Sequence, residues 1–388
     1  MNVKLVSLIV GLCILIDGKN VILTPKQNYN TFNHHLFSVE HNLEHFMKVD
    51  DLMIYKTDEK NYDKFINSFT ELFDMEIEQE YKVNPVHESD VVSNVIFVQN
   101  ENQLSFKRVN PWHLDRVTKP VDYDFSKCHN NKSLTINTYI IDTGVDADHP
   151  EFEGRAKFLE NFTGDNIDTD ANGHGTHCSG LVGSRTFGVC KDARLFGVKV
   201  LDANGSGSTS NVLRGMEYVF NRHKMESKTN NNVRSIISMS LGGGYSLAIN
   251  RMAEAMLKDD TIYFAAAAGN ENSDSCNTSP ASAKGIFTVM AMDKMDNRAY
   301  FSNFGKCADM YSPGVDIEST IPGGNAVFSG TSMACPILVG VLNHYVNNFP
   351  YLNMKGIKEK MLNDAIKNDI KKNPNKTPNL MVHLSRFD

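Results

Sequence analysis

From residue 105 onward, apolar runs punctuated by glycine alternate with helical stretches, and this alternation limits the available folds more than any other feature of the chain. "LTINTYIID", "ARLFGVKVLD", "SIISMSLGG", "TIYFAAAAGN" and "IFTVMAMD" are nearly continuous in apolar residues, as strands buried on both faces are. Strand and helix in turn predict an α/β domain over residues 105–388, with a mostly parallel sheet between two layers of helices. Sites in such folds lie at the C-terminal ends of the strands, so the residues after each run are the ones to read for chemistry.

Ahead of that domain the texture differs. Residues 20–104 are rich in Asn, Lys, Glu and Asp and poor in Gly. "NYDKFINSFTELFDME" sets Phe65, Phe69, Leu72 and Phe73 at helical spacing, and "DLMIYKT" and "NVIFVQ" flank it as strands. A small α+β unit is expected, with no visible chemistry. At the N-terminus Lys4 precedes "LVSLIVGLCILI", which is too short for a span of about 20 apolar residues and suits a secretory leader over residues 1–18. An uncleaved anchor is the alternative. No later apolar run has spanning length, so no stable membrane partner is expected.

Lys+Arg 39 against Asp+Glu 46, a net charge of -7, argues against nucleic acid as a partner. Of the 7 cysteines, those that remain after loss of Cys13 with the leader are expected to pair in part in an exported chain. Sequons at Asn131, Asn161, Asn204, Asn277 and Asn375 agree with export.

Three polar residues stand where a site is expected. Asp142 ends the first run, "IIDTGVDADHP", where a buried carboxylate needs a partner; a turn or capping Asp is the plain reading. In "NGHGTHCSGLVG", His174 sits between Gly173 and Gly175, glycines that suit an imidazole presented at a helix start. His174, His177 and Cys178 invite a zinc reading, but no second cluster supplies the other ligands, and His177 reads as a surface histidine. In "FSGTSMACP", Ser332 falls at the start of a helix containing "MACPILVGVLNHYV". Unpaired N–H groups and the positive end of the dipole stabilise an oxyanion there, although an N-cap serine would look the same.

The order Asp142, His174, Ser332 is that of the subtilisin triad. With "IIDTGVDADHPEFEGRA", "NGHGTHCSG", "LFGVKVLDANGSG", "SMSLGGGYS", "AAAAGNEN", "SPASAKGIFTV", "FSNFG" and "FSGTSMACP", the chain resembles the subtilisin family of serine peptidases, and within it the proteinase K branch. The resemblance implies Ser332 as nucleophile, His174 as base, Asp142 as the residue orienting the imidazole, and Asn270 as an oxyanion donor. It also implies that a polypeptide substrate lies as an added strand between Gly205, Ser206 and Gly207 on one side and Ser240, Leu241, Gly242 and Gly243 on the other. Ala267, Ala268 and Gly269 join Leu241 to Gly243 as uncharged walls of the first pocket, so broad cleavage after apolar or aromatic residues is expected.

Further expectations come from the resemblance alone. No cofactor is required for the chemistry, and a structural calcium is implied at Asp309 with the carbonyls of Lys284 and Ile286. Cys276 and Cys307 resemble a disulfide pair, Cys178 and Cys335 resemble buried thiols, and Cys128 and Cys190 stay open because Asn137 replaces a usual partner. Residues 19–104 resemble an inhibitory propeptide, with self-cleavage near Leu104–Ser105 and a mature start around "PWHLDRV". A secreted, self-processing, monomeric endopeptidase is the reading that follows. Its rivals are a non-catalytic binding protein held closed by its own prosegment and, more distantly, a metallohydrolase built on His174 and His177.

Overall fold

The computed structural model describes residues 9–16, 19–25, 44–49, 52–57, 73–83, 111–119 and 123–385. Strands β1 (Ile9–Ile16), β2 (Lys19–Pro25), β3 (Glu44–Val49), β4 (Leu52–Thr57) and β5 (Phe73–Ile77) form one sheet in the order β3-β4-β1-β2-β5. One expectation changes here, and the run assigned to a leader has a place in the intact chain. The apolar run assigned to a leader pairs, in the intact chain, antiparallel with β2 and parallel with β4. Its Ile, Val and Leu content serves a strand as well as a leader. Phe73 to Glu76, expected to close a helix, lie in β5 opposite β2, where Phe73, Met75 and Ile77 recur with a period of two. The rest of that expected helix, and "NVIFVQ", lie outside the described residues.

Strand β6 (Glu80–Lys82) follows, and then helix α1 (Trp112–Thr118), which opens the main domain. Next along the chain come β7 (Thr135–Asp142), β8 (Ala156–Asn161), α2 (His174–Gly183), β9 (Arg194–Lys199), β10 (Ser206–Ser208) and α3 (Thr209–Thr229). After them are β11 (Val233–Met239), β12 (Gly243–Gly244), α4 (Leu247–Met256), β13 (Ile262–Ala267), β14 (Thr278–Ser279) and β15 (Phe287–Met292). The chain ends through β16 (Met310–Pro313), β17 (Ile317–Ile321), β18 (Gly324–Phe328), α5 (Thr331–Asn348), α6 (Met354–Asp364), β19 (Ile366–Lys367) and β20 (Leu380–Met381).

The central sheet runs β19-β20-β16-β15-β13-β11-β7-β9-β8, and every pair in it is parallel except β19 with β20. This is the expected three-layer α/β domain. Side chains of β7 alternate between its two faces: Ile136 and Ile140 enter one core with α2 and α5, Tyr139 and Ile141 the other with α3 and α4. Helix α3 starts where the Ser208 hydroxyl accepts from Asn211 N–H at 3.2 Å, and it buries Val212, Leu213, Met216, Val219 and Phe220 along one stripe. Helix α5 is apolar around its circumference and buried from Thr331 to Asn347, which holds its first turn rigidly under the ends of the strands. Among the described residues no helix is long and apolar enough to cross a membrane.

Candidate active site

Asp142 is the last residue of β7 and His174 the first of α2. Gly173, with φ of 100°, makes the left-handed turn that brings the imidazole into the sheet's end. His174 Nδ1 lies 2.8 Å from Asp142 Oδ1, and both side chains are buried. Burial pulls the His174 pKa down, but the adjacent Asp142 carboxylate outweighs it and holds the imidazole well above its ordinary value. His174 Nε2 has no hydrogen-bond partner, so the pair presents one unused nitrogen.

Buried Asp170 fixes both members from behind. Its Oδ1 accepts from Thr143 Oγ1 and Gly173 N–H, each at 2.8 Å, and its Oδ2 accepts from Thr176 N–H at 2.8 Å. Thr143 in turn donates its N–H to Asp142 Oδ1 at 2.7 Å. One carboxylate therefore ties the end of β7 to the start of α2.

Ser332 is the second residue of α5, and its hydroxyl donates to the Ser240 carbonyl at 2.9 Å. The buried Cys178 bridges the two helices, with Sγ 3.8 Å from His174 Nδ1 and donating to the Ser332 carbonyl at 3.4 Å. Asn270 follows β13, and its Oδ1 accepts from Thr331 N–H at 2.9 Å and Thr331 Oγ1 at 2.8 Å. Two donors on its oxygen fix the orientation of the Asn270 amide. Thr331 Oγ1 also accepts from Gly269 N–H at 3.1 Å, which locks the segment Ala267, Ala268 and Gly269 to the start of α5. A buried aspartate orienting an imidazole, a serine at a helix N-terminus and a clamped amide are the parts of an acyl-transfer site.

The model of the subtilase family matches residues 138–383. The chain is a subtilase. It is 45% identical to the cuticle-degrading protease of Metarhizium anisopliae over 286 residues, covering 70% of each chain. It is also 42% identical to proteinase T of Parengyodontium album, over 70% of this chain and 92% of that one. A cold-adapted subtilisin-like serine proteinase of known structure aligns with a TM-score of 0.64 at 35% identity, over 72% of this chain and 99% of its own. This subtilase is accordingly a serine endopeptidase of the proteinase K type, and polypeptides are its substrates.

The two glycine-rich edges expected to flank a substrate hold a strand of the chain itself. β6 pairs antiparallel with β10, Lys82 opposite Ser206 and Tyr81 opposite Gly207. On the β10 side Val83 N–H donates to the Gly205 carbonyl at 3.0 Å, and on the other side Lys82 N–H donates to the Gly242 carbonyl at 3.2 Å. Tyr81 and Val83 are buried, and a Cβ on Gly243 would stand 3.1 Å from the Tyr81 ring, so the missing side chain makes room for the aromatic. Just upstream, Glu76 accepts from Ser246 Oγ at 2.6 Å and Leu247 N–H at 2.7 Å, and Glu78 accepts from Ser210 N–H at 2.9 Å. These carboxylates sit on the N-termini of α4 and α3, where the helix dipoles favour negative charge. The strand in the cleft is thus 80–82, upstream of the cleavage expected near Leu104–Ser105, which lies outside the described residues.

His177 is not a surface residue of this subtilase. It is fully buried, its Nε2 faces the Ile317 and Ala326 carbonyls at 3.1 Å each, and its ring stacks on Phe328. Burial pushes its pKa down to about 3, so it stays neutral and pins β17 and β18 to α2. It does not join His174 in a metal site.

The residues implied for calcium have a partner within the chain. Asp309 Oδ2 and the Ile286 carbonyl both accept from Lys358 Nζ, the first at 2.8 Å. Two of the three implied ligand atoms are therefore already taken by an ammonium. Cys276 and Cys307 are joined, as are Cys128 and Cys190, the pair left open by the sequence; Cys178 and Cys335 are free and buried.

Sequence reading overlooked Thr331, Asp170 and Lys358. Thr331 was open to detection as the hydroxyl beside Ser332 in "GTSM", and Asp170 as the carboxylate just ahead of "NGHG". Lys358 lies on a helix remote in sequence from Asp309 and carries no local signal.

Proposed function

We propose that this subtilase is an exported endopeptidase made as a precursor, whose own N-terminal segment occupies the cleft until processing releases it. The observation that carries the reading is β6, seated as a substrate-like strand between β10 and Gly242. Buried Tyr81 and Val83 support a preference for apolar and aromatic side chains. The two disulfides support folding in an oxidising compartment, in keeping with a leader at the N-terminus.

In the reaction Ser332 Oγ attacks the scissile carbonyl while His174 Nε2 takes its proton. The oxyanion is held by Ser332 N–H and the Asn270 amide, and His174 then protonates the departing amine. Water repeats the sequence on the acyl-enzyme and restores Ser332. Loss of one oxyanion amide costs about 10²–10³ in turnover in subtilisin. Asn270→Ala is expected to lower kcat by that factor with little change in KM, measured on a chromogenic peptide.

The reading is tested by following fluorophosphonate labelling while the precursor is processed. A single adduct on Ser332, located by peptide mass spectrometry and rising as the N-terminal segment is lost, is the expected result. A fully processed chain that takes no label would mean a binding protein on a subtilase fold. Full labelling of the unprocessed chain would remove the inhibitory role of β6.

A further inference from the structure

We propose that Lys358 is a tethered cation that replaces calcium at Asp309, so that this region of the subtilase is held together without a metal. The ammonium stands where an ion would have to stand. Lys358 Nζ donates to Asp309 Oδ2 at 2.8 Å and to the Ile286 carbonyl, and it lies 5.5 Å from the centre of the Phe287 ring. A calcium ion needs oxygens at about 2.3–2.6 Å, six or more of them. One bound to these same two oxygens would press against Nζ and set two positive charges in contact.

The same carboxylate oxygen has a second donor from within the chain. Asp309 Oδ2 accepts from Thr288 N–H at 2.8 Å, and Asp309 N–H donates to the Thr288 carbonyl at 2.9 Å. Asp309 and Lys358 side chains are only 17% and 19% exposed, so their attraction is weakly screened. One carboxylate against one ammonium is neutral, whereas one carboxylate against a divalent ion leaves excess charge that waters must absorb.

The position explains what the contact does. Ile286 and Asp309 immediately precede β15 and β16, two neighbouring strands of the central sheet, and Lys358 reaches them from the middle of α6. The ammonium therefore pins an outer helix to the entries of both strands. A metal in that place leaves when calcium is scarce; a side chain does not. Lys358 also lines a surface groove with Leu257, Lys284, Gly285 and Glu359, so its removal would open the two oxygens to solvent ions.

The test uses the full chain carrying Ser332→Ala, which prevents self-digestion from distorting the melting curve. Its Tm is expected to be the same in excess EDTA and in millimolar calcium. Lys358→Met, which keeps the stem and removes the charge, is expected to lower Tm in EDTA by roughly 5 °C or more, since breaking a poorly hydrated ion pair strands its carboxylate. Calcium should then recover part of that loss, and adding Asp309→Asn should abolish the recovery.

An unchanged Tm for Lys358→Met in EDTA overturns the proposal. So does a destabilised Lys358→Met chain that gains nothing from calcium, which would make Lys358 an ordinary ion pair. Equilibrium dialysis with calcium decides the matter without that variant: equal binding by the Ser332→Ala chain and its Asp309→Asn derivative is expected, and one ion fewer on the derivative overturns the proposal. None of these readouts depends on proteolytic activity or on the role of β6.

Discussion

Ser332→Ala is expected to lower turnover by on the order of 10⁶ and to leave the precursor at its full mass, because removal of the nucleophile in subtilisin costs about as much as removal of the entire triad. The substitution deletes one buried oxygen at the second residue of α5 and leaves the Asn270–Thr331 clamp in place. Loss of activity with an unchanged melting curve would therefore report chemistry and not folding. Intact mass and N-terminal sequencing of wild type and variant give the second half of the result. Processing in wild type alone identifies Ser332 as the group that cuts its own precursor; processing in both assigns maturation to another protease.

Asp142→Asn should cost about 10⁴ in kcat with KM little changed, by the general rule that an amide in this place favours the wrong imidazole tautomer. The pH profile separates this role from a merely structural one. His174 must be neutral to accept the Ser332 proton, and its pKa in the fold is held well above its ordinary value by Asp142 against the opposing effect of burial. Activity of the wild type should then rise with pH along a limb whose midpoint lies above the usual histidine value of about 6.5. In Asp142→Asn the charge is gone and the limb should move to lower pH.

Stability runs the other way. The charged pair stabilises the fold fully below the unfolded histidine pKa and loses that contribution as pH rises through the higher folded one. Thermal melts of wild type across that window, compared with Asp142→Asn, measure the difference directly.

The parts of the site legible in the sequence were those that sit at element boundaries. Asp142 closes an apolar strand, His174 opens a helix behind a glycine, and Ser332 opens another; each alone has a plain reading, and their order together makes them exceptional. The sheet was legible for a similar reason, since strands buried on both faces read as unbroken apolar runs. What stayed hidden depends on groups brought together from afar. Thr331 holds Asn270, Asp170 holds both Thr143 and Gly173, and Lys358 meets Asp309 across the surface of the sheet. His177 was misjudged because a polar residue between small ones reads as exposed, whereas here two carbonyls pay its burial. The segment Glu80–Lys82 has no chemical signature at all; only its register against β10 gives it meaning.

The contacts to β6 in the cleft are made largely to its main chain: the Gly205 and Gly242 carbonyls take N–H groups from Val83 and Lys82, and almost any sequence can offer those. A polypeptide whose amides are already engaged in its own helices and sheets has none to spare. A cleft that takes its substrate as it takes β6 sorts proteins by conformation before composition. Loose termini, long loops and chains that have lost their fold are open to it, and a compact neighbour persists beside the enzyme for as long as it keeps its own hydrogen bonds.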